Sequence, residues 1–366
     1  MGKENRHSLI PLHHKVERVK QIAYPRRERR LGQQRDKREN TMKKALIAST
    51  ALVLTAGIAA ADVTISGYGR TGILYQEDGV RGDDTNDAII QSRLRMNIDA
   101  TTSTDQGVDF GGRIRLQWDQ GDDETTIAPG YLYVTASGLT VEIGNSNTAY
   151  DSSNLMYSSE IGIYSRSFGN SRGDFFAYNT DGYPTFTNIV DGAIDRRSDY
   201  MGVLVSYTVD DLTVRASQVD PDQVSSVDGT EKEYGLSIDY VYNDTITLSA
   251  AALKDGAGID GNDQYFVGAE YAFNEKTDIG LLYFDNGDLD DGVDLGNTVT
   301  LYGSYLVAPL TTINGYVANN DGDDNETDNA YGIGGEYDLG GAKLAGSVQR
   351  GYDENITADM GVRFDF

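Results

Sequence analysis

The stretch from residue 90 to residue 99 alternates between two kinds of side chain. It reads Ile90-Gln91-Ser92-Arg93-Leu94-Arg95-Met96-Asn97-Ile98-Asp99. The even positions are apolar, with Ser92 as the one exception, and the odd positions are polar or charged. Because successive side chains of a β-strand point to opposite faces, this pattern predicts a strand with one apolar and one polar face. A strand that separates lipid from water needs such faces.

The same alternation recurs from residue 62 to the last residue, and helical periodicity is nearly absent. Sixteen segments follow it, and we expect each to be an antiparallel strand. They lie at 63–75, 89–100, 108–119, 130–136, 139–145, 199–208, 211–219, 233–242, 245–254, 264–273, 277–285, 298–307, 311–319, 329–339, 342–350 and 355–366.

The connections between these segments alternate in length. Short ones such as Ser137-Gly138 and Asn243-Asp244 are followed by long ones rich in Asp, Gly and Asn, such as 220–232 and 286–297. Tight turns at one end and polar loops at the other are typical of an outer-membrane barrel. The prediction is therefore an all-β, sixteen-stranded antiparallel transmembrane barrel. A soluble β-sandwich or solenoid is the alternative.

Prolines and aromatic residues also fit a barrel. Pro129, Pro184, Pro221 and Pro309 are assigned to connections, where they remove no ladder hydrogen bond. Aromatic residues near strand ends are expected to form girdles at the two membrane–water interfaces. They include Tyr240, Tyr242, Tyr271, Phe273, Tyr283, Phe284, Tyr302 and Tyr305.

The N-terminal 61 residues differ from the rest. Residues 42–61 have the parts of a secretory signal: basic Lys43 and Lys44, a short apolar run, and Ala59-Ala60-Ala61 before Asp62. The apolar run is too short for a spanning helix. Residues 1–41 are basic and precede this signal, so we interpret them as an upstream extension, disordered or not translated. A nucleic-acid-binding tail is the alternative.

Charge and composition exclude several functions for residues 62–366. Of the 31 Lys and Arg, 14 lie in residues 1–61, and of the 57 Asp and Glu, five do. The remainder therefore carries 17 basic and 52 acidic side chains, a net charge of −35. Such acidity excludes nucleic-acid binding. The same region contains no His or Cys, which removes the usual catalytic bases and zinc ligands, so we expect no enzymatic activity.

Three segments resemble the general porins of alphaproteobacteria, the Rhodobacter-type family. They are Ser66 to Gly72, Val141 to Asn145 and the closing stretch Ala358 to Phe366. The resemblance implies a homotrimer of sixteen-stranded barrels in the outer membrane, with the third loop, here 145–198, folded into the pore as a constriction. It also implies that Phe366 is the signal read by the barrel-assembly machinery.

Alternation predicts the charges that line the pore. If Leu94 and Ile114 face lipid, five arginines on neighbouring strands face the lumen, because an Arg facing lipid at mid-membrane would cost about 2–4 kcal/mol. They are Arg70, Arg93, Arg95, Arg113 and Arg115. A structural ladder with Asp99, Asp109 and Asp119 is the alternative. We expect carboxylates of the third loop opposite this wall, drawn from Asp151, Glu160, Asp174, Asp181 and Asp191.

The expected function is an outer-membrane porin, a water-filled channel for passive diffusion of small hydrophilic solutes and ions, with no cofactor. The alternatives are a channel specific for a sugar or organic acid, and a non-conducting structural or adhesive barrel. Acidic loops offer oxygen ligands for Ca²⁺, with Asp321, Asp323 and Asp324 as the candidate site. A solvated acidic surface bridged to lipopolysaccharide by divalent ions is the simpler interpretation.

Overall fold

Sixteen barrel strands lie in the part of the chain that the computed structural model describes. The described residues are 50–51, 62–77, 79, 86–120, 126–164, 170–173, 187–190, 193–196, 201–221, 231–289 and 292–366. The barrel strands are β1 (Asp62–Gln76), β2 (Ala88–Ser103), β3 (Asp109–Asp119), β4 (Thr126–Ala136), β5 (Leu139–Gly144), β6 (Met201–Val209), β7 (Leu212–Asp220), β8 (Glu233–Tyr242), β9 (Ile246–Lys254), β10 (Gln264–Asn274), β11 (Thr277–Asp285), β12 (Asn297–Ala308), β13 (Thr311–Asn320), β14 (Asn329–Asp338), β15 (Ala342–Arg350) and β16 (Ile356–Asp365).

The sheet closes on itself. Each strand pairs antiparallel with the next, and β16 pairs antiparallel with β1, where Phe364 lies opposite Gly69. Beyond β16, the Gly67 N–H donates to the Phe366 carbonyl at 2.7 Å, and the Phe366 N–H donates to the Gly67 carbonyl at 3.0 Å. Closure leaves no unpaired sheet edge in the hydrocarbon, which is what allows a β-sheet to span a membrane. The predicted sixteen-stranded barrel is confirmed.

Turn chemistry separates the two ends of the barrel. The β4–β5 turn has φ values of 51° at Ser137 and 84° at Gly138, and the β8–β9 turn has 52° at Asn243 and 53° at Asp244. Two successive positive φ values are typical of the tight hairpin turns whose twist matches the flanking strands. All long connections lie at the opposite end, so 145–200 is the third of them, as predicted.

Pro129 corrects the prediction that every proline lies in a connection. It lies inside β4, which begins at Thr126, four residues before the predicted start. The β3–β4 register shifts there, because Arg113 pairs with Tyr131 whereas Arg115 pairs with Ala128. A proline, which has no N–H for the ladder, is tolerated at such a bulge.

The two faces of the sheet have the predicted characters. Leu94, Ile114 and Leu132 are exposed on the outer face, the last with 71% of its surface accessible. Most of the predicted girdle aromatics lie on this face, but Phe284 and Tyr302 are buried inside the barrel. The girdle prediction was wrong for these two, because the strand interiors of β11 and β12 are covered from the lumen side.

The covering element is the third loop. An apolar cluster joins its residues to the inner faces of β9 through β14 and the connection after β15. Its members are Tyr150, Leu155, Met156, Ile161, Ala251, Leu253, Phe266, Leu282, Phe284, Tyr302, Tyr316, Ala318, Ala330 and Tyr352. The described residues of the loop therefore fold into the barrel, where they bury apolar surface.

Four further short elements complete the described structure. Thr50–Ala51 pairs antiparallel with the start of β1, and Thr187–Val190 pairs with Ala193–Arg196 as a separate two-stranded hairpin. Gly256–Gly258 forms one 3₁₀ turn between β9 and β10. In the described part of the chain, no helix is long and apolar enough to span a membrane.

Candidate pore constriction

Four of the five predicted arginines form a ladder between β2 and β3. The register places Arg93 opposite Asp119 and Arg113 opposite Asp99. Arg93 Nε forms an ion pair with Asp119, and Arg113 Nε donates to Asp99 Oδ1 at 2.7 Å. All four side chains lie on the face opposite the exposed apolar residues. The pairing with Asp99 and Asp119 agrees with the ladder alternative, and the pore-lining role of these arginines stays a prediction.

The other two rungs use side-chain amides as acceptors. Arg95 Nε donates to Gln117 Oε1 at 2.6 Å, and Arg115 Nε donates to Asn97 Oδ1 at 2.9 Å. Asp109, the third expected carboxylate, lies opposite Ser103 instead. These two rungs thus hold their arginines through neutral acceptors, whereas Arg93 and Arg113 are held by carboxylates.

Arg70 of β1 joins this wall to the third loop. Its Nη1 donates to the Tyr164 carbonyl at 2.7 Å, and its guanidinium lies 4.9 Å from the centre of the Tyr164 ring. Burial raises the pKa of the Tyr164 hydroxyl to about 12, so the phenol stays protonated. It donates to the Gln91 carbonyl of β2 at 2.7 Å.

Tyr68 and Arg363 extend the wall, and neither is among the residues predicted from the sequence. The guanidinium carbon of Arg95 lies 5.5 Å from the centre of the Tyr68 ring, and that of Arg363 on β16 lies 4.2 Å from the same centre. Arg363 follows the same alternation as the predicted arginines, so continuing the pattern into the last strand would have found it. Its place beside β1 depends on barrel closure, which a local pattern does not contain.

The third loop is fixed at both ends of its inner path. Its backbone N–H groups donate to side chains on three strands, and the two carboxylate anchors stand on β8 and β16, half the barrel circumference apart. Ala149 donates to Ser217 Oγ at 2.8 Å, Asn154 to Asp239 Oδ1 at 3.0 Å, and Ile163 to Asp359 Oδ1 at 3.2 Å. The described residues of the loop thus lie along the inner wall from β7 to β16, and Tyr164 reaches β1 and β2.

A returning segment, 170–173, reinforces this path. The Ser171 carbonyl accepts from Thr300 Oγ1 at 2.6 Å, and the Arg172 carbonyl accepts from Asn286 Nδ2 at 3.1 Å. Arg172 Nη2 lies 3.4 Å from Glu160 Oε1. We did not predict Arg172, because nothing in its local sequence indicates that its partner is another residue of the same loop.

Two of the five predicted loop carboxylates are described. Asp151 accepts a hydrogen bond from the Tyr157 hydroxyl, and Glu160 pairs with Arg172. Asp174, Asp181 and Asp191 lie outside the described residues. Whether carboxylates of the loop face the arginine ladder therefore stays a prediction.

The candidate calcium residues are engaged with a neighbouring loop. Asp321 Oδ1 accepts from the Asn297 N–H at 2.6 Å, and Asp323 Oδ2 accepts from the Asp294 N–H at 3.3 Å. Among the described residues there is no group of three or more His, Cys, Asp or Glu side chains that could hold a metal ion. Asp321, Asp323 and Asp324 form no such group in this part of the chain, and calcium binding by the acidic loops stays a prediction.

Known proteins share this architecture. The sequence model of the Gram-negative porin family matches residues 48–355. A porin from Fuscovulum blasticum is 43% identical over 308 residues, which cover 83% of this chain and 100% of the relative. A porin from Rhodobacter capsulatus is 24% identical over 329 residues, with the same coverage of both chains. Solved structures of substituted Rh. blastica porins match with a TM-score of 0.71, at 41% identity over 83% of this chain and 100% of theirs.

Proposed function

The chain belongs to the Gram-negative porin family, whose members are outer-membrane channels, and from this premise we propose how its lumen selects solutes. The lumen is a water-filled, size-limited passage for ions and small hydrophilic solutes, with weak charge preference. Transport is passive and requires neither a cofactor nor a catalytic step.

The asymmetric interior supports this proposal. The described part of the third loop packs its apolar residues on the inner faces of β9 to β14 and narrows the passage there, while the polar arginine ladder lies on β2 and β3. Since ladder and loop are each held by their own hydrogen bonds, neither needs a bound solute to keep its place. A fixed, polar and partly open passage is suited to diffusion rather than to tight binding.

We further propose that carboxylates of the loop oppose the ladder across the narrowest point. They are drawn from Asp151, Glu160, Asp174, Asp181 and Asp191. Two rows of opposite charge would orient dipolar solutes and disfavour apolar ones, as charged rings do in other channels. The acidic chain concentrates cations at the mouth. Screening over about 8–10 Å at physiological salt limits that effect, so we expect weak cation preference that fades as salt rises.

Planar-bilayer recording tests the channel proposal. Large ohmic steps in KCl are the expected result. Saturation of the current by a single sugar or organic acid would instead favour a solute-specific channel. Persistent silence of correctly folded, inserted protein would favour a structural or adhesive barrel and contradict the proposal.

Assembly and export follow from the same premise. We propose that residues 42–61 direct secretion and are cleaved before Asp62, that three barrels form a homotrimer, and that Phe366 is read by the barrel-assembly machinery. The acidic loops contact lipopolysaccharide through divalent ions. N-terminal sequencing of exported protein is expected to begin at Asp62, and migration as a trimer in mild detergent is expected. An N-terminus upstream of Met42, or a monomer, would contradict these assignments.

A further inference from the structure

A cavity of about 110 Å³ lies between the third loop and the wall that it covers. Residues 158–161 of the loop form one side, and the inner faces of β10 to β13 form the other. The lining residues that bear on its chemistry are Ser159, Glu160, Glu270, Asp278, Tyr302 and Asn314. In the order of pairing, β10 and β11 stand eight strands from β2 and β3. The cavity is therefore across the barrel from the arginine ladder.

Two carboxylates give the cavity its charge. Glu270 lies opposite Gly280 in the β10–β11 register and Asp278 lies opposite Ala272, so the two acids are diagonal neighbours on the same face. Both carboxylates lie on the inner face, near the end of the barrel that carries the tight turns. Within the described residues, neither forms an ion pair with Lys or Arg, whereas Glu160 has Arg172.

Neighbouring residues hold the Glu270 carboxylate in place. The Tyr302 hydroxyl donates to Glu270 Oε2 at 2.8 Å, which requires the ring of Tyr302 to cross β11. It crosses over Gly280, where any Cβ atom would collide with the ring. Ser304 Oγ donates to Asp278 Oδ2 at 3.4 Å. Each carboxylate is thus held from the β12 side.

Two further polar atoms of the lining are buried without a partner. Ser159 is 1% exposed, and in the described part of the chain its hydroxyl makes no hydrogen bond. The carboxamide oxygen of Asn314 is buried and also lacks a donor among those residues. Buried polar atoms are normally satisfied, so these two indicate a missing hydrogen-bonding group. Since an amide oxygen only accepts, that group must be a donor.

We propose that this cavity binds the ammonium or guanidinium head group of a small organic cation that reaches it from the lumen. Two carboxylates and an unpaired amide oxygen match a positively charged group with several N–H donors. A metal ion fits less well, because no cluster of three or more ligating side chains exists in the described structure. The assignment rests on the proposed channel function, since the cation arrives through the pore.

Block of single-channel current by butane-1,4-diammonium tests the site. Ohmic steps in KCl are recorded first and test only the channel function. The diammonium is then titrated into wild-type protein and the Glu270→Gln/Asp278→Asn variant, whose side chains are nearly isosteric with the originals. We expect the half-blocking concentration to rise at least about tenfold in the variant, because charge-assisted hydrogen bonds are lost.

Glu336→Gln is the matched control, since it also removes one inner-face carboxylate near the turn end. Glu336 has Lys343 at 3.0 Å as an ion-pair partner, so we expect block to change less than about twofold. Should the double variant fail to insert, Asp278→Asn alone carries the test. Equal block in wild type and variant would overturn the site. Block by CaCl₂ that the variant abolishes would overturn the organic cation in favour of a metal.

Discussion

The inward-facing side chains on two opposite sides of the barrel are stabilised in different ways. On β2 and β3 the inward side chains are arginines, aspartates and amides that bond to each other across the strands. On β10 and β11 the inward positions include Phe266, Leu282 and Phe284, which are fully buried under the third loop. Polar side chains on one wall form hydrogen bonds with each other across neighbouring strands. Apolar side chains on the other wall must instead be shielded from water by a second element, here the third loop. The wall of β9 to β14, here called the covered wall, therefore holds the described part of the loop. The wall of β2 and β3, here called the bare wall because Arg93 and Arg113 stay partly exposed, carries the charges that we propose act on permeating ions.

Truncating the covered wall tests this difference most strongly. Phe284 is 0% exposed and its ring centre lies 4.8 Å from that of Phe266. We expect Phe284→Ala to lower the free energy of unfolding by about 3–5 kcal/mol, because it opens a cavity under the loop. Denaturant unfolding in lipid vesicles, followed through the fluorescence of Trp118, measures it. The control is Phe273→Ala on the neighbouring strand β10, because the Phe273 side chain is on the outer face and 65% exposed. Equal losses would mean that the loop core contributes no stability.

Sequence predicted the barrel better than it predicted what lies inside. Alternation located all sixteen strands and placed the arginines on the inner face, because a two-residue period is a local property. It did not show that Phe284 and Tyr302 point inward, since an apolar residue suits either lipid or a buried interior. The run Leu281-Leu282-Tyr283-Phe284 is apolar on both faces, which is typical of a strand buried on both sides. The anchors Asp239 and Asp359 depend on the path of a distant loop, and no local pattern contains that path.

Each of the two walls has a glycine over which a tyrosine side chain lies, so substituting that glycine tests how freely the tyrosine can move. Tyr302 crosses Gly280 on the covered wall, and Tyr133 crosses Gly111 on the bare wall to meet Thr101 at 2.6 Å. We expect Gly280→Ala to destabilise by about 1–3 kcal/mol through overpacking, because Tyr302 is hemmed in by the loop. Gly111→Ala is expected to cost less, since Tyr133 can turn into the lumen. Unfolding midpoints compare the two, and a costlier Gly111→Ala would reverse our assignment of the walls.

The anchor on β16 is expected to have a smaller effect. Asp359 accepts from the Ile163 N–H, and Asn at this position keeps an acceptor but loses its charge. Because hydrogen bonds to charged groups are the stronger ones, we expect Asp359→Asn to weaken the anchor by about 1–2 kcal/mol. Open-channel noise in bilayer recordings is expected to rise as the loop fluctuates. Asp365→Asn, an exposed acid at the end of the same strand, is the control. Unchanged noise in Asp359→Asn would show that other contacts suffice to hold the loop.

The smallest expected effect concerns selectivity at the bare wall. Replacing Arg93 and Arg95 with Gln removes two positive charges and leaves Asp119 without its ion-pair partner. We expect conductance to rise and the cation-to-anion permeability ratio to increase about twofold, equivalent to about 0.4 kcal/mol. Reversal potentials under a KCl gradient measure the ratio.

The control for that experiment is Arg350→Gln, which removes an arginine paired with Glu354 at the loop end of β15. Charges there lie in solvent and are screened, so its reversal potential is expected to stay near wild type at physiological salt. At about 1 M salt, where the Debye length falls to about 3 Å, the double variant should also approach wild type. If the double variant and Arg350→Gln shift the potential equally, the ladder does not stand at the narrowest point. In that case the selectivity of the channel is set at its mouth, by the acidic loops rather than by the bare wall.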